Sequence, residues 1–173
     1  MQALVDIVRS GKALYVGISR WPLEALKIAD KYLRERDVPL LIYQGRLNLL
    51  DREPQEDDVL DYCAEHGIGF ISFSPLAQGL LTDRYLNGIP EGSRMTQGRF
   101  LKQDMLTPEL LAYLKRLNGI AEERGETLAE MALAWILAQR GVTSVLVGAS
   151  SVGQLAKNLK CITAQPFYEK DLI

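Results

Sequence analysis

Four short apolar runs without charge, each followed by a turn and a helical pattern, set the tightest limit on this chain. They are residues 13–18 (ALYVGI), 40–43 (LLIY), 69–72 (GFIS) and 144–147 (SVLV). Charge-free strands of this length are expected where a sheet is buried on both faces. Their alternation with longer helical stretches is the pattern of βα units in a parallel sheet.

The helical stretches carry their own start and stop signals. After the first run, Leu23, Leu26, Ala29, Tyr32 and Leu33 recur at helical spacing, with Pro22 suited to a first-turn position. A helix over about residues 55–65 ends at His66-Gly67, where glycine provides the left-handed cap and histidine sits at the negative helix end, a capping role. Thr107-Pro108-Glu109 opens a helix through Leu110, Leu111, Leu114, Leu117 and Ile120. Thr127 with Glu130 forms a capping box for a helix reaching Gln139. Residues 2–9 read as a further helix ahead of the first strand. Between the third run and Leu106 lies a loop of about thirty residues rich in Gly, Pro, Arg and Gln, long enough to expect a function. The expected order is α-βα-βα-βα(α)-βα. Four parallel βα units make half of an eight-stranded barrel, while periodicity alone equally allows a small open doubly wound sheet.

Composition narrows the chemistry. The 173 residues suit one domain over residues 1–173. The 20 Lys and Arg against 22 Asp and Glu give no uniform field that would draw the chain to nucleic acid or to a membrane surface, so an anion site has to be local. Cys63 and Cys161 lack metal-site spacing, and His66 is the single histidine, so two buried reduced thiols and no metal are expected. No run approaches the ~20 apolar residues of a membrane span, and the expected compartment is the cytoplasm.

The runs YVGISRW (15–21), LLIYQGRLNLLDR (40–52), FISFSPLAQGLLTDRY (70–85) and VLVGASSVGQLAKN (145–158) together resemble the aldo-keto reductase family, in that family's order and spacing. The resemblance covers nearly the whole chain. NLLDR, the SPLAQGLL loop and Ser19-Arg20 bring it nearest the glyceraldehyde-3-phosphate-reductase-like enzymes and the potassium-channel β subunits. It implies an α/β fold, the C-terminal half of a (β/α)8 TIM barrel, and NADPH-dependent reduction of aldehydes and ketones.

The resemblance also implies which residues hold NADPH. Ser19, Arg20 and Gln44 match positions at the nicotinamide carboxamide, where neutral donors and acceptors are needed, although many relatives have Asn in place of Arg20. Phe73 matches the ring-stacking position. Ser74, Pro75, Leu76, Ala77 and Gly79 match a clasp over the pyrophosphate, with small residues allowing close backbone approach. Arg84 and Arg94 match basic residues that close on phosphates. Gly148, Ser150 and Gln154, after a strand and at a helix start, match 2'-phosphate and ribose ligands, and Asn158 matches the adenine contact. Lys157 stands where many relatives carry Glu.

Family enzymes place their catalytic Asp, Tyr, Lys and His in strands before the point where this chain begins. Tyr15, Tyr43 and His66 match none of them, so no catalytic residue is carried over. A lone half would leave two sheet edges unpaired and the interior face uncovered, which leads us to expect a homodimer or association with an N-terminal half. The implied function is that of an oxidoreductase acting on a small-molecule carbonyl, inactive as this chain alone. The alternative is a non-catalytic NADPH-binding or oligomeric interaction module.

Overall fold

The structure is a computed structural model that describes residues 1–97 and 101–168. The chain divides into two compact units. The first comprises Met1–Leu47, Asp51–Phe73 and Gln139–Leu146, and the second Asn48–Leu50, Ser74–Ala138 and Val147–Ile173.

The first unit holds a helix α1 (Gln2–Arg9) and four strands, β1 (Val16–Ser19), β2 (Leu40–Arg46), β3 (Gly69–Phe73) and β4 (Val142–Val145). All neighbours pair in parallel, in the order β1-β2-β3-β4. A doubly wound sheet reverses its strand order at a switch point, whereas this order runs straight through, as in a barrel. The helices α2 (Leu23–Arg34), α3 (Glu53–Glu56) and α4 (Val59–Glu65) pack on β2 and β3.

Pairing register separates the two sheet faces. Ile18, Tyr43 and Phe70 are cross-strand neighbours and all are buried. One residue on, Ser19, Gln44, Ile71 and Ser144 form the next row, which is exposed or half-buried. Burial on both faces, expected from the charge-free runs, is therefore not what this chain has. Its strands alternate, because the helices α2, α3 and α4 stack on one side.

Strand bounds shift for related reasons. β1 starts at Val16 rather than at residue 13, since Leu14 and Tyr15 lie outside the pairing and are exposed. β2 runs on to Arg46, which carries Gln44 inside the strand, and β4 sits two residues earlier than expected. Pro22 precedes α2 instead of lying in its first turn, with φ −59° and ψ 153°. The helix expected near residues 55–65 is broken into α3 and α4 at Asp58, whose φ of 58° is left-handed. Its far end follows the glycine-cap rule: Gly67 has φ 68° and the Ile68 N–H donates to the Cys63 carbonyl at 2.9 Å.

The second unit contains α5 (Arg94–Gln97), α6 (Pro108–Glu123), α7 (Leu128–Leu137) and α8 (Val152–Leu159). The Thr107 hydroxyl accepts the Leu110 N–H. At α7 both arms of the capping box are closed: Thr127 Oγ1 accepts the Glu130 N–H at 3.2 Å, and the Glu130 carboxylate accepts the Thr127 N–H at 2.7 Å. α7 is buried along nearly its whole length and is the centre of this unit's core, with Leu114 and Leu117 of α6 also fully buried. It ends at Leu137, two residues before the expected end.

Candidate functional site

In the first unit Ser19 and Phe73 lie at the C-terminal ends of their strands, and Gln44 lies two residues before the end of β2. Ser19 closes β1 and is the register partner of Gln44. Phe73 closes β3, is paired with Arg46, and is half-buried. Adjacent strands lie about 4.8 Å apart, so the Ser19 hydroxyl and the Gln44 carboxamide stand side by side on the open face. Arg20 follows in a left-handed conformation, φ 57°, its N–H donating to the Gln44 carbonyl at 3.1 Å. Its side chain is exposed. Arg46 forms an ion pair with Asp51.

The chain's other chemistry-bearing side chains lie elsewhere. Tyr43 belongs to the buried row, where its hydroxyl donates to the Trp21 carbonyl at 2.8 Å and its ring stacks on Phe70 at 5.7 Å. Burial pushes this phenol up to about 12. Tyr15 precedes β1 and is exposed. His66 caps α4, its ring stacked on Tyr62 at 3.8 Å and one ring nitrogen 2.9 Å from the Tyr62 carbonyl. Among the described residues no group of three or more His, Cys, Asp or Glu side chains could hold a metal ion, and no helix is long and apolar enough to cross a membrane.

In the second unit, residues 74–79 form a tight and strained loop. Ser74, Ala77 and Gln78 have φ of 51°, 46° and 61°, a region that L-residues rarely adopt, and Gly79 has 102°. Backbone bonds from Ala77 to Ser74 (3.0 Å) and from Gly79 to Leu76 (2.8 Å) close the turns, and the Thr82 hydroxyl donates to the Gly79 carbonyl at 2.7 Å. Pro75 is buried, while Leu76, Ala77 and Gly79 are half-buried. At Gly79 the requirement is conformational, because an added Cβ would meet only the Tyr85 ring, at 3.7 Å. Strain of this kind concentrates where backbone is shaped for a ligand. Arg84 is exposed in a short 3-10 turn. Arg94 opens α5, and its side chain lies outside the described residues.

Also in this unit, Gly148 and Ser150 are exposed ahead of α8. The N-cap is Ser151, whose hydroxyl accepts the Gln154 N–H at 3.2 Å. Gln154 Oε1 in turn accepts from the Ser150 N–H (2.7 Å) and hydroxyl (3.0 Å). Two expected phosphate and ribose ligands are thus already joined. The helix start is partly capped rather than fully open, which leaves the first-turn N–H groups of Val152 and Gly153 without helical partners. Asn158, four residues beyond Gln154, is 5% exposed, and its Nδ2 has no hydrogen-bond partner. A buried donor left unmade costs about 1–3 kcal/mol and suits a site whose acceptor arrives with a ligand. Within this unit the Ser150 hydroxyl, the helix-start N–H groups and the Asn158 amide are donors of the kind that suit an anionic, hydrogen-bond-accepting ligand.

Sequence reasoning passes over Asn48. It is buried, and its side chain bonds to the backbone at Ser74 and at Leu50. Its place within NLLDR was the available signal.

Comparison with known proteins identifies the family and the fold. The chain is 47% identical over 174 residues to the L-glyceraldehyde 3-phosphate reductases of Escherichia coli strain K12 and Escherichia coli O157:H7, a match covering 98% of this chain and 50% of each relative. It therefore spans about half the length of the curated relatives it matches. The crystal structure of a thermostable aldo-keto reductase in complex with the inhibitor epalrestat superposes with a TM-score of 0.69 at 26% identity, covering 98% of this chain and 50% of that one. The four parallel strands with their helices are half of a (β/α)8 barrel. With a family profile that matches residues 1–172, the chain belongs to the aldo/keto reductase family.

Proposed function

We propose that this chain is the cofactor-binding half of an NADPH-dependent carbonyl reductase, and that the residues that do the chemistry come from a complementary first half. The observation that carries the reading is the Ser19 and Gln44 pair, Ser19 closing β1 and Gln44 two residues before the end of β2, toward the C-terminal side where barrel active sites form.

In this reading Ser19 and Gln44 orient the nicotinamide carboxamide, beside Arg20, and Phe73 supports the ring. Ser74, Pro75, Leu76, Ala77 and Gly79 wrap the pyrophosphate, and Arg84 and Arg94 add charge. Gly148, Ser150 and Gln154 take the 2'-phosphate and ribose, for which Gln154 gives up its bonds to Ser150, and Asn158 meets the adenine. NADPH, when bound, supplies the hydride that reduces a carbonyl carbon. Protonating the carbonyl oxygen needs a general acid within hydrogen-bond reach. Tyr43 is ill suited, being on the buried row and committed to the Trp21 carbonyl. The acid tyrosine and its Lys, Asp and His partners are therefore assigned to the first half. The partner is that half or a second copy of this chain. The substrate is a small carbonyl compound, with L-glyceraldehyde 3-phosphate the first to try, and the compartment is the cytoplasm.

The test is to titrate NADPH into the chain by fluorescence, then add the first half of a matching relative and follow NADPH oxidation. Binding by the chain, with turnover only in the mixture, is expected. Turnover by the chain alone would sink the division of labour, and no turnover in the mixture would sink complementation.

A second reading, a non-catalytic NADPH-binding or interaction module, is favoured by the exposed apolar stripe of α8 and its extension: Val152, Leu155, Leu159 and Ile162. Nucleotide binding without turnover in any mixture would support it.

A further inference from the structure

The geometry points to Asn48 as a positioning residue that holds the 74–79 loop, with its left-handed Ser74, Ala77 and Gln78, in shape and so sets the affinity for NADPH. The second half of this statement rests on the proposed role of that loop.

Asn48 is 2% exposed, yet both ends of its carboxamide are used. Oδ1 accepts the Leu50 N–H at 2.9 Å, which closes a local turn and fixes the orientation of the amide. Nδ2 then has a set direction, and it donates to the Ser74 carbonyl at 3.1 Å. The same carbonyl accepts the Ala77 N–H at 3.0 Å, so one oxygen anchors both the outside and the inside of the turn.

Ser74 is where an anchor matters most. It is the first left-handed residue after β3, and Ala77 and Gln78 repeat the conformation within four residues. Such backbone persists only when its surroundings over-determine it. A loop that relaxes from this shape has to be re-formed on binding, and the affinity falls by the fraction of molecules that hold it. Asn48 touches neither cofactor nor substrate in this scheme and acts through the Ser74 carbonyl.

The test uses Asn48→Ala, which removes both bonds, and Asn48→Asp, which keeps the acceptor for Leu50 and removes the donor to Ser74. Three measurements are made on the parent and on each variant: NADPH affinity by fluorescence, thermal unfolding, and amide hydrogen exchange. We expect NADPH affinity to fall about tenfold in both variants. The Ala77, Gly79 and Leu81 amides should exchange faster, while those of Leu114 and Leu117 in α6 stay protected. A uniform rise in exchange across α6 and the loop would mark Asn48 as a general structural residue and overturn the inference. Variants that bind within twofold of the parent overturn it as well. A parent chain that does not bind NADPH sinks the cofactor reading and the affinity claim with it, and loop exchange then decides the anchoring alone. Where neither variant folds, exchange of the Asn48 side-chain amide in the parent decides it: slow exchange supports the anchor, and exchange as fast as an exposed amide removes it.

Discussion

Cys63 and Cys161 are both free thiols, but their surroundings differ. Cys63 is fully buried, and burial, reinforced by the Asp30 carboxylate, pushes it up to about 12. Cys161 is raised by burial and by Glu130, yet it is only half-buried, which corrects the expectation of two buried thiols. Iodoacetamide near neutral pH should label Cys161 well before Cys63, read by mass spectrometry of the peptides. The same burial gives a pH dependence. A thiol whose ordinary value is 9 and whose folded value is about 12 keeps its proton longer in the native state. Its contribution to stability is complete below pH 9 and is lost as pH rises from 9 towards 12, so urea midpoints should fall across that window. Asn158 supplies a prediction of opposite signs. Asn158→Leu removes a buried donor without a partner, so the melting temperature of the ligand-free chain should not fall, while NADPH affinity drops several-fold. The type of residue at this position was legible in VLVGASSVGQLAKN. Its missing hydrogen bond was not, because satisfaction depends on what packs around the amide.

At the scale of elements, local signals did well wherever the physics is local. The Thr127 and Glu130 capping box and the Gly67 cap appear where the sequence put them, since each is made by residues within a turn of one another. Thr127→Ala should cost about 1 kcal/mol in chemical denaturation. Local signals did less well where pairing decides: β1 lost its first three residues and β4 moved back two. Gly141, just before β4, has φ 91°, and an added Cβ there would lie 3.0 Å from the Leu60 carbonyl and 3.1 Å from Ala64 Cβ. Gly141→Ala is therefore expected to destabilise the fold by about 1–3 kcal/mol, through strain and contact together. The Ser150 to Gln154 bonds belong here too. Helical spacing puts these residues within reach of one another, but spacing does not report that they would pair before any ligand arrives.

At the scale of the sheet, its four strands end in β1 and β4, each with one edge that pairs with no strand among the described residues, and the row through Ser19, Gln44, Ile71 and Ser144 is exposed or half-buried. Unpaired edges beside open faces favour association. Sedimentation velocity of the chain alone should show species larger than its 19.4 kDa monomer, and adding a matching first half should replace them with a defined complex. A single monomeric species under both conditions would count against the need for a partner.

The kinds of unit, their order and the family were written in the sequence by itself, because hydrophobic period, caps and family-like motifs act over a few residues each. Which face of the sheet is open, that the strand order runs straight through, and how Asn48 grips Ser74 were decided only by tertiary structure. Those features depend on register and on contacts between residues 20 or more positions apart, and no local pattern records them.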